Sequence, residues 1–388
     1  MNAAVPRQFD VAILGGGMSG LALACHLDER NAQGDKCVRN GVVLEPRTDY
    51  QRDKTWCYWQ QQPGLFDQAI THSWSSWEVR SAGRRWVSTC AQTPYVRVDS
   101  GRYYELAAAK LAQSNTLALN LNVGAQTIAR LDDCFKVETT QGDLLARRVV
   151  DTRPRAIPEG TLLQHFYGWE IETEKDVFDP STVTLMDFGA GSADNIHFYY
   201  VLPFSPRSAL VETTHFSKET GSIDQYETEL RHYLQHRYGL ARWQIKHTEQ
   251  GVLPMAKRGQ KRAQRADCDA LSLGLHGGTV KPSTGYCFPH AQDQAAELAL
   301  WLTTARGTSP PRLRGFAARW FDGVFVTFLE NQAPAAPDAF LRLFQRVSPD
   351  ALVRFLSDRA TPLDYLRVIA ALPKLPMLKE ALRYVFQR

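Results

Sequence analysis

The stretch Asp10-Val-Ala-Ile-Leu-Gly-Gly-Gly-Met-Ser-Gly-Leu-Ala-Leu-Ala24 decides the fold. It sets a G-x-G-x-x-G sequence between an apolar strand and the start of a helix, the arrangement of a dinucleotide-binding βαβ unit. The first glycine permits the tight turn, the second lets the backbone approach a pyrophosphate, and the third lets the helix pack close to the strand. The helix N-terminus offers free N–H groups and a positive dipole. We therefore expect the phosphates to be bound by Gly15, Gly17, Met18, Ser19 and Gly20.

A second apolar strand, from Gly41 to Leu44, completes this unit and is followed directly by Glu45. Such units carry an acid about 20 residues after the last glycine, where it binds the ribose hydroxyls. Glu45 stands close to that position and is expected to bind the ribose. These features alone leave open whether the dinucleotide is NAD or FAD.

Two later segments favour FAD. Val149-Val-Asp-Thr-Arg-Pro154 ends a buried strand in an acid and resembles the second flavin fingerprint of FAD-dependent monooxygenases and reductases. Gly274-Leu-His-Gly-Gly-Thr279, with the loop that follows, resembles the third fingerprint, a glycine-rich turn beside the flavin ring. It lacks the acid that hydroxylases carry after the first glycine, which makes hydroxylase chemistry less expected. The flavin contacts expected from these segments are Asp151, Gly277, Gly278, Lys281, Thr284 and Gly285.

The expected fold is α/β with an α+β insert. It combines a Rossmann-like FAD-binding domain of the flavin monooxygenase/reductase superfamily with an antiparallel-sheet substrate domain and a helical C-terminus. Alternating apolar and polar residues between Gln164 and Thr214 predict the antiparallel sheet, and the aromatic span from Asp53 to Val98 is expected to be rich in loops. The expected boundaries are 1–163 and 256–305 for the two parts of the FAD-binding domain, 164–255 for the substrate domain and 306–388 for the helical region.

Composition excludes several classes of protein. The 388 residues carry a net charge of +4 without a long basic run, so nucleic acid is not an expected partner. Seven cysteines, with no C-x-x-C pair, predict reduced thiols in a cytoplasmic protein. No secretion signal and no run of about 18 apolar residues occur, so a spanning helix is not expected. His197 and His215 lack the spacing of a metal site, so no metal is expected, and the oligomeric state stays open.

With these segments placed, the chain resembles bacterial lycopene beta-cyclases over nearly its full length. Any one matching segment is weak evidence, whereas their order and spacing together are specific. The matching segments are Lys54-Thr-Trp-Cys-Tyr-Trp59, Phe166-Tyr-Gly-Trp-Glu170, Leu185-Met-Asp-Phe188, Leu202-Pro-Phe-Ser205 with Val211-Glu-Thr-Thr214, and Gly278 to Tyr286.

The resemblance implies a reaction that closes beta-ionone rings on a linear carotene such as lycopene without net oxidation. It implies reduced FAD as cofactor and NAD(P)H as reductant. A carboxylic acid protonates a terminal double bond, the neighbouring alkene attacks the cation, and loss of a ring proton gives the product. The type and number of rings stay open. The alternative is an FAD-dependent monooxygenase or prenyl reductase on a lipophilic substrate, which shares the nucleotide fingerprints.

The resemblance assigns Glu212 as the acid. Strand alternation puts its side chain on the same face as Leu210 and Thr214, whereas the alternative is a solvated acid or an ion pair with Arg207. Asp187, in an apolar context, is the second catalytic candidate, although it could instead hold a turn or orient Arg207.

Four aromatic residues are candidates for stabilising the cation, with core packing as the alternative for the tryptophans. They are Trp56, Tyr58, Trp59 and Tyr286. Lys281 is expected to place positive charge near the flavin pyrimidine, unless it is a surface lysine.

A long hydrocarbon substrate resides in a bilayer, and two segments mix apolar with basic residues. Asp350 to Arg359 and Leu372 to Arg388 are therefore expected to lie on an anionic membrane surface, as a peripheral contact. Ordinary packed helices are the alternative.

Overall fold

The computed structural model describes residues 7–34, 38–189, 195–256, 270–304 and 314–386. Within them the strands are β1 (Arg7–Leu14), β2 (Gly41–Leu44), β3 (Thr55–Trp59), β4 (Ile70–Trp74), β5 (Ser76–Ser81), β6 (Arg84–Thr89), β7 (Tyr95–Asp99), β8 (Leu117–Asn120), β9 (Ala125–Arg130), β10 (Phe135–Thr139), β11 (Gly142–Asp151), β12 (Leu163–Glu172), β13 (Thr182–Phe188), β14 (Ile196–Ser205), β15 (Ser208–Ser217), β16 (Gln244–Pro254) and β17 (Leu271–Ser272). The helices are α1 (Met18–Ala32), α2 (Ser100–Ala112), α3 (Ile223–Tyr238), α4 (Phe288–Thr304), α5 (Phe316–Asn331), α6 (Ala336–Arg346), α7 (Pro349–Leu356), α8 (Pro362–Ala371) and α9 (Lys374–Phe386).

The first sheet has the order β8-β2-β1-β11 and is extended by the hairpin β10-β9 and by β17. Strands β8, β2, β1, β11 and β17 are parallel. Their side chains are buried on both faces, as in Val11 and Ile13 on one side and Ala12 and Leu14 on the other. Helices α1, α2 and α4 supply the core on the first of these faces. This is the Rossmann-like arrangement that the glycine motif predicts.

The second sheet has the order β16-β12-β15-β14-β13-β5-β6, and its neighbours are antiparallel except β13 and β5. One face packs on α3. The other face packs on the C-terminal helices, in the core cluster that includes residues of α5, α6, α7 and α8. The antiparallel sheet predicted between Gln164 and Thr214 is confirmed.

The aromatic span from Asp53 to Val98 differs from expectation because it forms strands rather than mainly loops. Strands β3, β7 and β4 make a small third sheet, and β5 and β6 extend the second sheet. The reason is that several of its aromatic side chains are core residues: Trp74 and Tyr95 are 3% and 2% exposed, and Trp77 is fully buried. Large aromatic residues favour strands that can bury one face.

The helical C-terminus is confirmed as α5 to α9, but its segments differ in burial. In α7, Leu352 and Val353 are each 1% exposed. The expectation that Asp350 to Arg359 lies on a membrane surface is therefore wrong, because the apolar side of this segment is already covered by protein. Helix α9 instead exposes Leu375 and Phe386 to 82% and 85%.

Two further expectations bear on the compartment. The described cysteines are free thiols, at Cys25, Cys57, Cys90, Cys134 and Cys287, and Cys37 and Cys268 lie outside the described residues. In the part of the chain that the structure describes, no helix has both the length and the apolar character needed to cross a bilayer.

Candidate active site

The glycine turn between β1 and α1 has the form of a phosphate cradle. Gly15 has a φ of +104°, and a Cβ on Gly20 would lie 2.0 Å from the carbonyl oxygen of Gly15, so both positions require glycine. A Cβ on Gly17 would meet no atom within 4 Å, which leaves open space before the helix. Gly17 is the N-cap of α1, and no side chain caps that end. The N–H groups of Met18 and Ser19 therefore lack an intrahelical acceptor and suit a pyrophosphate.

Glu45, directly after β2, forms a hydrogen bond with this turn. It is 4% exposed and accepts hydrogen bonds from the N–H of Gly16 at 2.7 Å and from Nε of Arg47 at 2.8 Å. Burial opposes ionisation, but the hydrogen bonds from Arg47 lower the pKa of Glu45. Its binding of the ribose stays a prediction.

The second fingerprint forms a hydrogen bond with the same turn. The hydroxyl of Thr152 donates to the carbonyl oxygen of Gly15 at 3.0 Å. Asp151, which ends β11, forms an ion pair with Arg153, with Nε and Oδ1 2.8 Å apart. A Cβ on Gly15 would lie 2.7 Å from the Thr152 hydroxyl, so the two segments fit only with glycine in the turn.

The third fingerprint reaches the start of α1. Strand β17 pairs with the end of β11, and the 3₁₀ turn Gly274–Gly277 follows. Gly274 has a φ of +76°, and a Cβ there would lie 3.3 Å from Oγ of Ser19. Gly278 ends the turn with a φ of +82°. The side chain of His276 lies outside the described residues.

The residues fit FAD. The three fingerprints meet around the open cradle at Gly17 and the uncapped start of α1. At the expected flavin end, a Cβ on Gly285 would lie 2.1 Å from Oε1 of Gln164. That oxygen is buried and has no hydrogen-bond partner among the described residues. A buried polar atom without a partner is costly, and a ligand in the adjoining cavity would relieve that cost.

Lys281 is not a surface lysine. It is 1% exposed, and its Nζ lies 2.6 Å from Oδ1 of Asp358 and 2.9 Å from Oδ1 of Asp322. Burial alone would lower the pKa of Lys281, but these carboxylates raise it. Arg314 pairs with the same two acids. The loop that carries Thr284 is thus tied to α5 and to the end of α7, and flavin contact by Lys281 stays a prediction.

A cavity of about 190 Å³ lies between the second sheet, β3 and the C-terminal helices. Its wall is mainly apolar and aromatic, and Lys54, Gln164, Glu212 and Thr284 are among its few polar side chains. The aromatic residues in its wall are Trp56, Tyr95, Phe166, Phe198, Tyr200, Phe216, Tyr286, Phe288, Phe340 and Phe344.

Glu212 is the acid in this cavity. Glu212 and Thr214 line it, whereas Val211 belongs to the core on the opposite face, as strand alternation requires. Glu212 is 8% exposed. Its burial, together with a neighbouring carboxylate, raises the pKa of Glu212 well above the ordinary value. No ion pair with Arg207 forms, since Arg207 pairs with Asp176 at 2.6 Å.

Asp187 lies on the other face of the second sheet. A bulge shifts the register of β13, so that Leu185 and Met186 both line the cavity and Asp187 points to α3. Its Oδ2 accepts a hydrogen bond from the Tyr233 hydroxyl at 2.9 Å and lies 3.6 Å from Nε of Arg237. The structure therefore does not bring Asp187 together with Glu212.

The four aromatic candidates divide into two pairs. Trp56 and Tyr286 line the cavity. Tyr58 stacks on Phe288 with ring centroids 5.2 Å apart, and Trp59, which is 2% exposed, packs against Tyr286 at 5.3 Å. Tyr58 and Trp59 are thus core residues that pack against the side chains lining the cavity.

Glu249 is a further acid near Glu212 that the sequence does not predict. It lies on β16, is 6% exposed, and accepts a hydrogen bond from the Thr55 hydroxyl at 2.8 Å. Glu249 and Glu212 are both in register with Gly168 of β12, the strand between theirs. A glycine inside a strand signals a close approach, but the groups that approach depend on strand order, which the sequence does not state.

Three histidines stand in register on the α3 face, where His165 and His197 flank His215. His197, His215 and Glu229 bring potential metal ligands within 4.8 Å of one another. However, the rings of His197 and His215 are parallel within 2°, with centroids 4.3 Å apart. One ion cannot lie in both ring planes, so the geometry favours hydrogen bonding, in which Glu229 accepts from Thr213 at 2.6 Å.

Comparisons with known proteins identify the family to which the chain belongs. The family model described as lycopene cyclase protein matches residues 10–382. The chain is similar to a lycopene beta-cyclase of Pantoea ananas, with 23% identity over 390 residues and 96% of each chain covered. It is also similar to a lycopene beta-cyclase of Paracoccus sp., with 30% identity over 224 residues, which cover 55% of this chain and only 57% of that protein.

Solved structures share the fold at low identity. A flavin-dependent brominase gives a TM-score of 0.64 at 11% identity, covering 98% of this chain and 100% of that one. A geranylgeranyl bacteriochlorophyll reductase-like protein from Thermoplasma acidophilum gives 0.62 at 14% identity, with the same coverage. These likenesses confirm the predicted fold, an α/β nucleotide-binding domain combined with an antiparallel sheet and a helical C-terminus.

Proposed function

We propose that this chain, which belongs to the lycopene cyclase family, closes beta-ionone rings on lycopene or a related linear carotenoid. The cyclisation starts with protonation of a terminal alkene, proceeds through a carbocation, and needs reduced FAD without net redox change. The observation that carries the proposal is Glu212, a buried carboxyl group with a raised pKa in the wall of an aromatic cavity.

Glu212 supplies the proton. An alkene is a weak base, so its protonation needs a neutral acid held at the double bond, and desolvation keeps a carboxyl group neutral. In the proposed step the alkene electrons form a new C–H bond with the Glu212 proton, and Glu212 becomes a carboxylate. The neighbouring double bond then closes the ring, and loss of a ring proton restores neutrality.

The cavity wall protects the cation. Water would capture a carbocation, whereas aromatic faces stabilise it without reacting. Trp56, Tyr200 and Tyr286 line the cavity. Burial raises the pKa of both tyrosines, so they stay neutral and contribute ring faces rather than phenolate nucleophiles.

FAD would be held by the glycine turn between β1 and α1, by the start of α1 and by Glu45. Thr284 and Gly285 lie at the cavity. The chemistry expected of bound reduced FAD is a negative charge beside the developing cation. NAD(P)H is the proposed reductant.

The size of the cavity suits one end of a long substrate. At about 190 Å³ it is smaller than the roughly 300–1,000 Å³ of sites that enclose whole ligands. We propose that the remainder of the polyene stays outside, toward a membrane surface contacted by α8 and α9. The exposed apolar residues of these helices are Leu363, Leu366, Ile369, Leu375, Leu378, Leu382, Val385 and Phe386.

Expression in cells that accumulate lycopene, followed by pigment chromatography, tests the function. The expected product is yellow beta-carotene. Purified protein with reduced FAD, kept free of oxygen, should form rings without accumulating oxidised flavin in proportion to product. Unchanged lycopene, or flavin oxidation that matches turnover, would overturn the proposal and point to another polyene or to a monooxygenase or reductase.

A further inference from the structure

The second sheet places two glutamates on either side of one glycine. Gly168 of β12 pairs with Glu212 of β15 and with Glu249 of β16. Residues directly opposite one another in neighbouring strands point to the same face. Glu212 and Glu249 therefore extend on the cavity side, with Cα atoms about 10 Å apart, twice the spacing of neighbouring strands.

Gly168 makes room for the two side chains to meet. A Cβ at this position would lie 2.7 Å from Cγ of Glu212, closer than packed carbon atoms allow. With no side chain there, Glu212 extends over β12 on the side of Glu249, and the nearby carboxyl group of Glu249 contributes to the raised pKa of Glu212. Both side chains are nearly buried, at 8% and 6% exposure.

The hydrogen bonds distinguish the two members. Thr55 donates to Oε2 of Glu249 at 2.8 Å, and an ionised carboxylate accepts such a bond more strongly than a protonated one. Glu212 lines the cavity, whereas Glu249 is not part of its wall. We propose that Glu249 is the ionised partner of a carboxyl pair and positions the proton on Glu212 for transfer to substrate, an inference that rests on the proposed function.

Among the described residues, the other charged groups near the pair have partners of their own. The titratable or charged groups that surround the pair are Lys54, directly before β3, Cys57 of β3, Tyr95 and Arg97 of β7, Tyr200 of β14, and Tyr286. Burial raises the pKa of Cys57 to about 12 and raises those of the three tyrosines, so these groups are neutral near pH 7. Arg97 is paired with Glu170 at 3.3 Å, and Lys54 donates to the carbonyl oxygen of Asp53 at 3.0 Å.

The pair also bears on the charges in the cavity after the proton has been transferred to the alkene. When Glu212 gives its proton to the alkene, two adjacent carboxylates face the new cation, and their attraction for it opposes their mutual repulsion. The ring proton passes to the Glu212 carboxylate in the cavity wall, and the protonated acid exchanges with solvent before the next ring closes. Glu249 keeps its charge throughout, so it takes no proton in the net reaction.

The test replaces Glu249 by Gln, which keeps shape and hydrogen bonding but removes the charge. A like charge raises the pKa of a neighbouring acid, so without it Glu212 loses its proton at lower pH. Because activity needs protonated Glu212, the pH at which activity falls to half should move down in Glu249→Gln, chiefly through kcat rather than KM. Glu249→Asp, which keeps the charge, should show a smaller shift, with a pH profile closer to that of wild type.

Glu172→Gln is the matched control. Glu172 ends β12, is exposed, and pairs with Lys246 at 2.7 Å on the surface, so its loss should leave the pH profile unchanged. Gly168→Ala provides an independent variant: the added Cβ should displace Glu212 and reduce ring closure while flavin binding persists.

Infrared titration of the flavin-loaded protein separates this inference from the function. Wild type should show a protonated carboxyl band that is absent from Glu212→Gln. In Glu249→Gln this band should disappear at a lower pH than in wild type. If wild type closes rings but Glu249→Gln matches Glu172→Gln in both readouts, the pair is wrong and the function stands. If wild type closes no rings, the function fails, and the infrared band still decides whether the carboxyl pair exists.

Discussion

At the scale of single residues, the environment of a carboxyl group decides its chemistry. Glu212 and Glu229 are both partly or wholly shielded from water by the second sheet. Burial opposes ionisation of Glu229, yet hydrogen bonds from His215 and Thr213 lower its pKa to about 2. Glu212 has another carboxyl group as its neighbour, and its pKa is raised. The same type of side chain is thus a structural anion on one face and the proposed acid on the other.

Glu212→Gln should abolish the acid while keeping the fold. The substitution preserves volume and hydrogen bonding but removes the transferable proton, so cyclisation should fall by about 10²-fold or more. Flavin binding should persist, because the cradle lies in the first sheet. Pigment chromatography and the flavin spectrum of the purified variant measure the two effects. Full activity of this variant with reduced FAD would exclude Glu212 as the acid.

Gly17→Val should abolish flavin binding. The added side chain would fill the open space before α1, where the phosphates are expected. Gly315→Val is the matched control, since Gly315 is also a helix N-cap with no atom within 4 Å of an added Cβ. Titration with FAD should give a bound flavin spectrum for wild type and the control only. Normal binding by Gly17→Val would contradict the assignment of the cradle.

The sequence predicts some of these residues and not others, for physical reasons. Strand alternation alone places Glu212 on the face of Leu210 and Thr214. It misplaces neighbours of a bulge, so that the orientation of Asp187 could not be read from its apolar context. The partners of Lys281 come from α5 and from the end of α7, far away in the chain. Glu249 carries no local signal at all.

At the scale of elements, the contrast between α7 and α9 shows the limit of composition. Both mix apolar and basic residues, but α7 is covered by other helices and α9 leaves its apolar side exposed. A contiguous apolar surface of this kind marks an interaction site. Lys374, Lys379 and Arg383 lie on the same helix, which suits an anionic bilayer.

Replacing Leu375, Leu378 and Leu382 by Gln should weaken membrane binding. Each leucine is more than half exposed, so the change removes apolar surface without opening a cavity in the core. Cosedimentation with vesicles of phosphatidylcholine and an anionic lipid measures the loss. Leu131→Gln with Ile245→Gln is the control, because Leu131, directly after β9, and Ile245, in β16, are exposed apolar residues outside α9. Equal binding by the α9 variant and wild type would contradict a membrane role for this helix.

At the scale of the whole molecule, the cavity exists only because distant segments meet. Its wall combines β3 and five neighbouring strands of the second sheet, β16 to β13, with the loop of Thr284 and helices α6 and α7. The nucleotide unit is a local pattern of about 35 residues, which is why the sequence predicts it well. The cavity depends on strand order and on helix packing, which are non-local and follow from the folded core.

Solvent deuterium tests the central claim most directly. In heavy water, proton transfer from Glu212 to the alkene must place one solvent deuterium in each ring formed, because the acid exchanges with solvent before it reacts. Mass spectrometry of carotene made by wild-type protein with reduced FAD should therefore show one added deuterium per ring. Rings formed in heavy water without any deuterium would contradict acid-initiated cyclisation.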